Sequence, residues 1–389
     1  MKILTILAAA VLTLAGIVTQ SHASEMTKDF EVGTPNIKSM SILEFGPDGI
    51  LFIGDSKGGN VFAIETGDVL PPTADLQRFA VQDLEGKIAA MLGTGAEDLM
   101  IHDMAVNPIS ANTYIAVSRA RSTWTSGWVL PNELADATIL MRVTAEKTIE
   151  EFPLTHVKFA RASLPNPVDL NVEHRWKKGV TTRADAITAI AYDDGTLYLS
   201  GLSNEEFAST MWSMGFPFKG DATWATLEIF HGAHGEFETH APIRAFLPYQ
   251  LDGQSYILAS YLCTPLVTFP TKDLSNGQHI MGKTIGELGS GNYPIDMVSA
   301  EWEGRQFIVM SNSMLPLMTF NVAEITKYNA MQGITTEPDT YLAGASYTPR
   351  AGNGVQHMDN FGDRGILCLQ RMPSGKLDMV ALSVERLAF

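Results

Sequence analysis

Basic residues are scarce in this chain. Lys and Arg number 27 against 43 Asp and Glu, for a formal net charge of −16. A surface of that sign repels nucleic acid and anionic lipid, so neither is an expected partner. It suits a cationic ligand or a basic protein, although acidity also serves solubility. Cysteine is nearly absent: Cys263 and Cys368 are the only two. They are too few for a disulfide framework, so the fold must rest on its own core. Beyond Val18 no stretch is apolar enough to span a bilayer. No Walker loop, GxGxxG after a strand, GxSxG or CxxCH occurs, which argues against nucleotide, Rossmann, serine-hydrolase and c-haem chemistry.

The chain has a leader. MKILTILAAAVLTLAGIVTQSHAS carries one Lys, an apolar run and a small-x-small site, which predicts a signal peptide over residues 1–23, cut after Ala23. The mature protein, residues 24–389, is then periplasmic or secreted, and one unit more negative for the loss of Lys2. With 33 Gly, 19 Pro and 45% hydrophobic residues it reads as folded and turn-rich.

One unit recurs: an apolar strand, a short turn with Gly, Asp or Asn, a second strand ending on a small residue, a polar turn, and a third strand. Copies begin with SMSILEF-GPDG-ILFIG and continue at residues 102–118, 185–201, 242–260, 294–311 and 354–369. The fourth and fifth align without a gap: Gly253 falls on Gly304, Ser260 on Ser311, Pro265 on Pro316 and Phe269 on Phe320, a period of about 51 residues. That predicts an all-β chain forming a single β-propeller of six four-stranded blades. Any seventh would come from residues 144–183. Segments 78–84, 151–159, 223–230 and 283–288 are candidate fourth strands. The last blade lacks one, and residues 29–32 are expected to supply it and close the ring.

In such a blade, the turns joining first and second strands lie on one face. The second-to-third turns and the links between blades lie on the other. The first set is plain turn chemistry: GPDG, NPISAN, DDG, LDG, EWEG, FGDR. The second set carries the acids, imidazoles and thiol. Residues 230–240, FHGAHGEFETH, hold three of the nine histidines and read as a sharply bent loop. His231 and His234 are the candidate catalytic pair, with general-base chemistry in view. His102, Arg183, Glu206, His240 and Cys263 are candidate ligand-binding residues. Asp103, Asp185, Asn204, Glu205, Asn292, Asp296 and Asn312 are candidate metal donors, since Asn, Asp and Glu oxygens suit a hard cation such as calcium. For Asp103, Asp185 and Asp296 the alternative is an Asp that bonds a neighbouring strand's backbone and locks blade to blade. For Cys263 it is a small buried residue. Met297, Met310, Met314 and Met318 are expected in the core, and His174 and Trp176 in an exposed loop.

The unit FGPDGILFIGDSKGGNVFAI resembles blades of the NHL, SMP-30/gluconolactonase and quinoprotein-like propellers. SMP-30-type lactonases and paraoxonases hold a divalent cation, usually calcium, at the channel mouth with Glu, Asn and Asp. Asn204, Asn292, Asp296 and Asn312 are of that type and on that face. The resemblance therefore implies a calcium-dependent hydrolase of a small ester or lactone. The residues leave two alternatives: a non-catalytic propeller that grips a small molecule or another exported protein, and a copper-binding, redox-linked one using His and Cys263.

Overall fold

The computed structural model describes residues 25–119, 138–174, 177–263, 265–331 and 342–388. The leader and Trp176 lie outside them. Six small antiparallel sheets stand in a ring, so the chain is a six-bladed β-propeller. The inner three strands of the blades follow the repeat. Blade 1 has Ile42–Phe45, Ile50–Asp55 and Asn60–Glu65; blade 2 has Met100–Val106, Thr113–Ser118 and Ile139–Val143. Blade 3 has Ala189–Asp193, Thr196–Leu202 and Ser209–Gly215; blade 4 has Ala245–Leu251, Gln254–Ser260 and Pro265–Pro270. Blade 5 has Pro294–Trp302, Arg305–Asn312 and Leu317–Asn321; blade 6 has Val355–Phe361, Gly365–Arg371 and Leu377–Ser383. The equivalence of copies four and five extends to their turns. Asp252-Gly253 and Glu303-Gly304 both take positive φ, at 49° and 73° and at 49° and 75°. A two-residue turn of that hand matches the twist of the strands it joins.

The fourth strands depart from expectation. The last blade is closed by Ala80–Val81, which pairs with Leu377–Ser383. The N-terminal strand Glu31–Gly33 instead lies at the outer edge of blade 1, against Val157–Ser163. Residues 78–84 therefore serve blade 6 and not the blade they follow. Val157–Ser163, reached only after blade 2 is complete, is the fourth strand of blade 1. The chain lays down three strands of blade 1, crosses to the edge of blade 6, builds blade 2, and returns to finish blade 1. Neighbouring inner strands give the ring order 1-3-4-5-6-2, so blade 2 sits between blades 6 and 1. Residues 144–183 hold no seventh blade among the described residues. They supply fourth strands and one small hairpin, Glu173–His174 with Lys177–Thr181.

The core confirms this order, because each pair of neighbours shares one apolar cluster, a seventh and smaller one lying at Val168, Ala186 and Leu202. Ile50 and Phe52 of blade 1 pack on Leu197 and Trp212 of blade 3. Leu43 and Leu51 pack on Tyr114 and Leu140 of blade 2. Phe79, Val81 and Phe361 join blades 6 and 2. Three analogous clusters join blades 3 and 4, 4 and 5, and 5 and 6. Met297, Met310 and Met318 are core as expected, whereas Met314 is 70% exposed, at the tip of a turn and not on a strand. Both cysteines are free, and blade 5 separates the blades that carry them. Among the described residues, no helix is long and apolar enough to cross a membrane.

Candidate functional site

The residues singled out in the sequence fall in three places rather than one. The first is the central channel, a cavity of about 560 Å³ lined by the inner strands of all six blades. It receives Asp103, Asp185, Asp296 and His102 from the expected set, joined by Glu44, His357 and Asp359. Asp103 accepts from the Leu43 amide at 2.7 Å and lies 3.1 Å from His357 Nδ1. Asp296 accepts from the Met358 amide at 2.9 Å, and Asp359 from the Val106 amide at 2.7 Å. Each of these carboxylates reaches the next blade in the same rotational sense, from 2 to 1, 5 to 6 and 6 to 2. Glu44 meets the Tyr192 amide of blade 3 in the same way. Thr188 ties blade 3 to blade 4 by donating to the Ile243 carbonyl at 2.6 Å. Asp103 and Asp296 thus form latches between blades, the alternative that the sequence left open beside a metal-donor role. Their oxygens satisfy backbone amides that inner strands would otherwise leave unpaired. Asp185 is held in an ion pair with Arg244 at 2.8 Å.

Gathering these acids has an electrostatic consequence. Burial, reinforced by the charge of Asp103, pushes Asp296 up to about 7. Burial likewise pushes Asp359 up to about 7. Burial and then the charges of Asp359, Asp103 and Asp296 raise Glu44 well above the usual carboxylate range. Burial also acts against charge on His357, but Asp103 and Asp296 outweigh it and raise its pKa. His102, enclosed and close to His357, falls to about 4. The channel holds protons near neutral pH and presents less negative charge than its composition suggests.

The second place is a surface groove lined by Pro165, Asp169, Arg183, Asn204 and Glu205. Here Glu205 accepts from Asn166 at 2.7 Å, and Asn166 accepts from the Trp212 indole at 2.8 Å. Arg183 donates to the Val168 carbonyl. Glu206 is exposed. The pair Asn204 and Glu205 therefore braces an insertion and does not meet the channel. Asn292 and Asn312 organise the turn after residue 312. Asn292 accepts from the Met314 amide at 3.0 Å, and Asn312 accepts from the Leu315 amide at 2.7 Å while donating to the Pro316 carbonyl at 3.0 Å.

The third place is built on the His-rich segment. It is a hairpin and not a loop throughout. The outer strand of blade 3, Thr223–His231, ends on His231 and pairs with Glu236–Glu238. The tight turn between them is held by bonds from the His234 and Gly235 amides to the His231 carbonyl, at 3.1 and 2.8 Å. The Gly232 amide donates to Glu287 of blade 4 at 2.6 Å, which fixes the hairpin against that blade. One oxygen of Glu238 lies 3.0 Å from His231 Nδ1 and 2.5 Å from His234 Nδ1. The two rings are stacked at a tilt, their centroids 4.0 Å apart. Burial raises the Glu238 carboxyl, but the hydrogen bonds and charges of the two imidazoles outweigh it and bring it to about 2.

With both Nδ1 atoms taken by Glu238, each ring is left with Nε2 as its free donor. Among the described residues, donor atoms of His231, His234 and Cys263 lie within 4.8 Å of one another. His234, Glu236 and Glu238 form a second such group. His231 is 1% exposed and its Nε2 has no hydrogen-bond partner. Cys263 comes from the second-to-third turn of blade 4. The turn holds it in the left-handed region at φ 62°, and its sulfur receives the Gly291 amide at 3.4 Å. His240 stands outside both groups. Glu287, the acceptor of the Gly232 amide, is pushed up to about 8 by burial. Of the site residues expected from the sequence, His231, His234 and Cys263 are the three that come together here. The orienting role of Glu238 was overlooked, although its spacing of four residues from His234 was visible. Glu44, His357 and Asp359 sit on inner strands, where a lone acid or imidazole in an apolar run was the available signal.

The chain is thus a six-bladed propeller in which, among the described residues, a His–His–Cys cluster lies where blade 3 meets blade 4. No protein-family model and no curated protein matches it. It resembles several solved structures at low identity. Hydrazine synthase of Kuenenia stuttgartiensis is 11% identical, with a TM-score of 0.34 over 95% of this chain and 100% of that one. The extracellular domains 1-2 of Drosophila Semaphorin 1b are 8% identical, with a TM-score of 0.35 over 92% and 88%. A Thermus oxidoreductase described as a glucose dehydrogenase is 10% identical, with a TM-score of 0.34 over 91% and 100%. Likenesses at this level carry no functional argument.

Proposed function

We propose that the protein is an exported propeller that binds one transition-metal ion through Nε2 of His231, Nε2 of His234 and the thiolate of Cys263. The observation that carries this reading is the buried, unpartnered Nε2 of His231 beside two further donor side chains. A buried polar atom without a partner is costly, and a cation removes the cost. Imidazole and thiolate donors favour zinc or copper over calcium, which prefers an all-oxygen shell. Glu238 supports the reading from outside the shell: a carboxylate on each Nδ1 fixes the tautomer that presents Nε2 and makes the ring a stronger donor. In this reading His231 and His234, expected as general bases, are ligands. Export rests on the leader sequence.

Metal analysis and thermal unfolding test the proposal. The mature protein, loaded with zinc or copper and desalted, should retain one equivalent. Cys263→Ser and His234→Ala should retain far less. At a free ion concentration 100 times Kd, binding stabilises by about 2.7 kcal/mol, which chelator should reverse. A melting temperature raised by calcium alone and indifferent to zinc and copper would sink it.

A further inference from the structure

The His-rich hairpin carries a second set of donors beside the first. Its register pairs Phe230 with Phe237, His231 with Glu236 and Ile229 with Glu238. The two Phe rings therefore stand on one face of the hairpin, while His231, Glu236 and Glu238 share the other. His234, in the turn, reaches that second face, since its Nδ1 meets Glu238 there. One donor atom from each of His234, Glu236 and Glu238 lies within 4.8 Å of the other two. Glu238 uses a single oxygen, Oε1, on the two imidazoles, so its second oxygen takes no part in those bonds.

The two sets share His234 and differ in the rest. The inner one adds an imidazole and a sulfur. His231 is enclosed at 1% exposure, and the Gly291 amide lies on the Cys263 sulfur at 3.4 Å. The outer one adds two carboxylates. The His234 side chain is 46% exposed and Glu236 is exposed. A hydrated cation arriving from solvent meets the outer set first, and meets negative charge there. Carboxylate oxygens accept hard cations readily, whereas imidazole and thiolate select zinc and copper. With Nδ1 on Glu238, His234 has one ring nitrogen left, so it serves an ion in one position at a time.

Resting on the metal reading above, we infer that His234, Glu236 and Glu238 form a loading position from which the ion passes to His231 and Cys263. His234 holds the ion in both positions. The ion exchanges the two carboxylate oxygens for Nε2 of His231 and the Cys263 sulfur, whose thiol proton leaves to solvent. Glu236 has no part in the final shell. Zinc and copper move inward because the inner donors hold them more tightly; a hard ion such as manganese stays outside.

Glu236→Gln separates the path from the shell. A cobalt–thiolate bond adds a near-ultraviolet charge-transfer band, which reports arrival of Co(II) at Cys263 in the mature protein. The variant should load several-fold more slowly than wild type. It should also release the ion to excess chelator several-fold more slowly, at unchanged affinity, because a residue on the path alters both rates and not their ratio. Glu303→Gln, an exposed acid in the turn between the first two strands of blade 5, should match wild type throughout. Cys263→Ser protein should bind Mn(II), read as loss of the free-ion paramagnetic resonance signal, and adding Glu236→Gln should weaken that binding several-fold. Unchanged cobalt rates, or Mn(II) binding indifferent to Glu236→Gln, overturn this inference and spare the metal site. A fall in cobalt affinity as large as the fall in loading rate makes Glu236 a ligand of the held ion and also overturns it. A wild-type protein without the thiolate band overturns both readings.

Discussion

Replacing Asp296 with Asn tests whether the channel stores protons. In the folded protein this carboxyl is enclosed and faces Asp103, and its pKa stands at about 7 against an ordinary 3.8. An acid whose folded pKa is raised binds its proton more tightly in the folded chain than in the unfolded one. Stability present at low pH is therefore lost as pH climbs from about 4 to about 7. At about 1.4 kcal/mol per pH unit, this one group accounts for roughly 4 kcal/mol, an upper figure because a buried charge draws in water and relaxes its surroundings. Asn does not ionise, and its carbonyl still accepts from the Met358 amide. At pH 4, before that loss sets in, the variant should lie within about 1 kcal/mol of wild type, the worth of one altered hydrogen bond. By pH 8 the difference should swing in favour of the variant, by up to about 4 kcal/mol. Asp359, Glu287, Glu44 and His357 lose stability in the same direction. His102 opposes them by gaining as pH rises from about 4 to 6.5. These contributions belong to both proteins and largely cancel in the comparison. Urea unfolding between pH 4 and 8.5, with chelator present so that no cation compensates the charge, gives the two curves. Parallel curves would refute the reasoning.

Three further outcomes are expected. Asp103→Ala strips the Leu43 amide of its acceptor and His357 of its counter-charge, and should cost about 3 kcal/mol in chemical denaturation; a loss below about 1 kcal/mol would end the latch role. Glu238→Gln should weaken zinc or cobalt binding about 10- to 100-fold by titration calorimetry, as loss of an orienting carboxylate does elsewhere, and an unchanged affinity would show that it orients nothing. In native metal-free protein Cys263 should react with a thiol reagent and metal should protect it, whereas Cys368, fully buried with its thiol pushed up to about 12, should react only after denaturation; two reactive thiols in the native state would contradict the packing of blade 6.

The propeller was legible in the chain because its signals are local. Alternation along a strand, the Asp252-Gly253 and Glu303-Gly304 turns, and the gap-free match of copies four and five each depend on a few neighbouring residues. The turn and link segments that carry acids, imidazoles and thiol were legible too, but they fall in three places and not one. Blade order was not legible. Ala80–Val81 is a two-residue strand with no pattern of its own, and only the packing of Phe79 and Val81 between blades 6 and 2 makes it the closing strand. Nor does a sequence say whether Asp296 binds a cation or an amide, because the deciding partner, Met358, belongs to the next blade. The meeting of Cys263 with His231 and His234 is likewise a product of blade 3 packing on blade 4. Local chemistry chose the kinds of side chain in these segments; the distances among them were set by long-range contacts between blades.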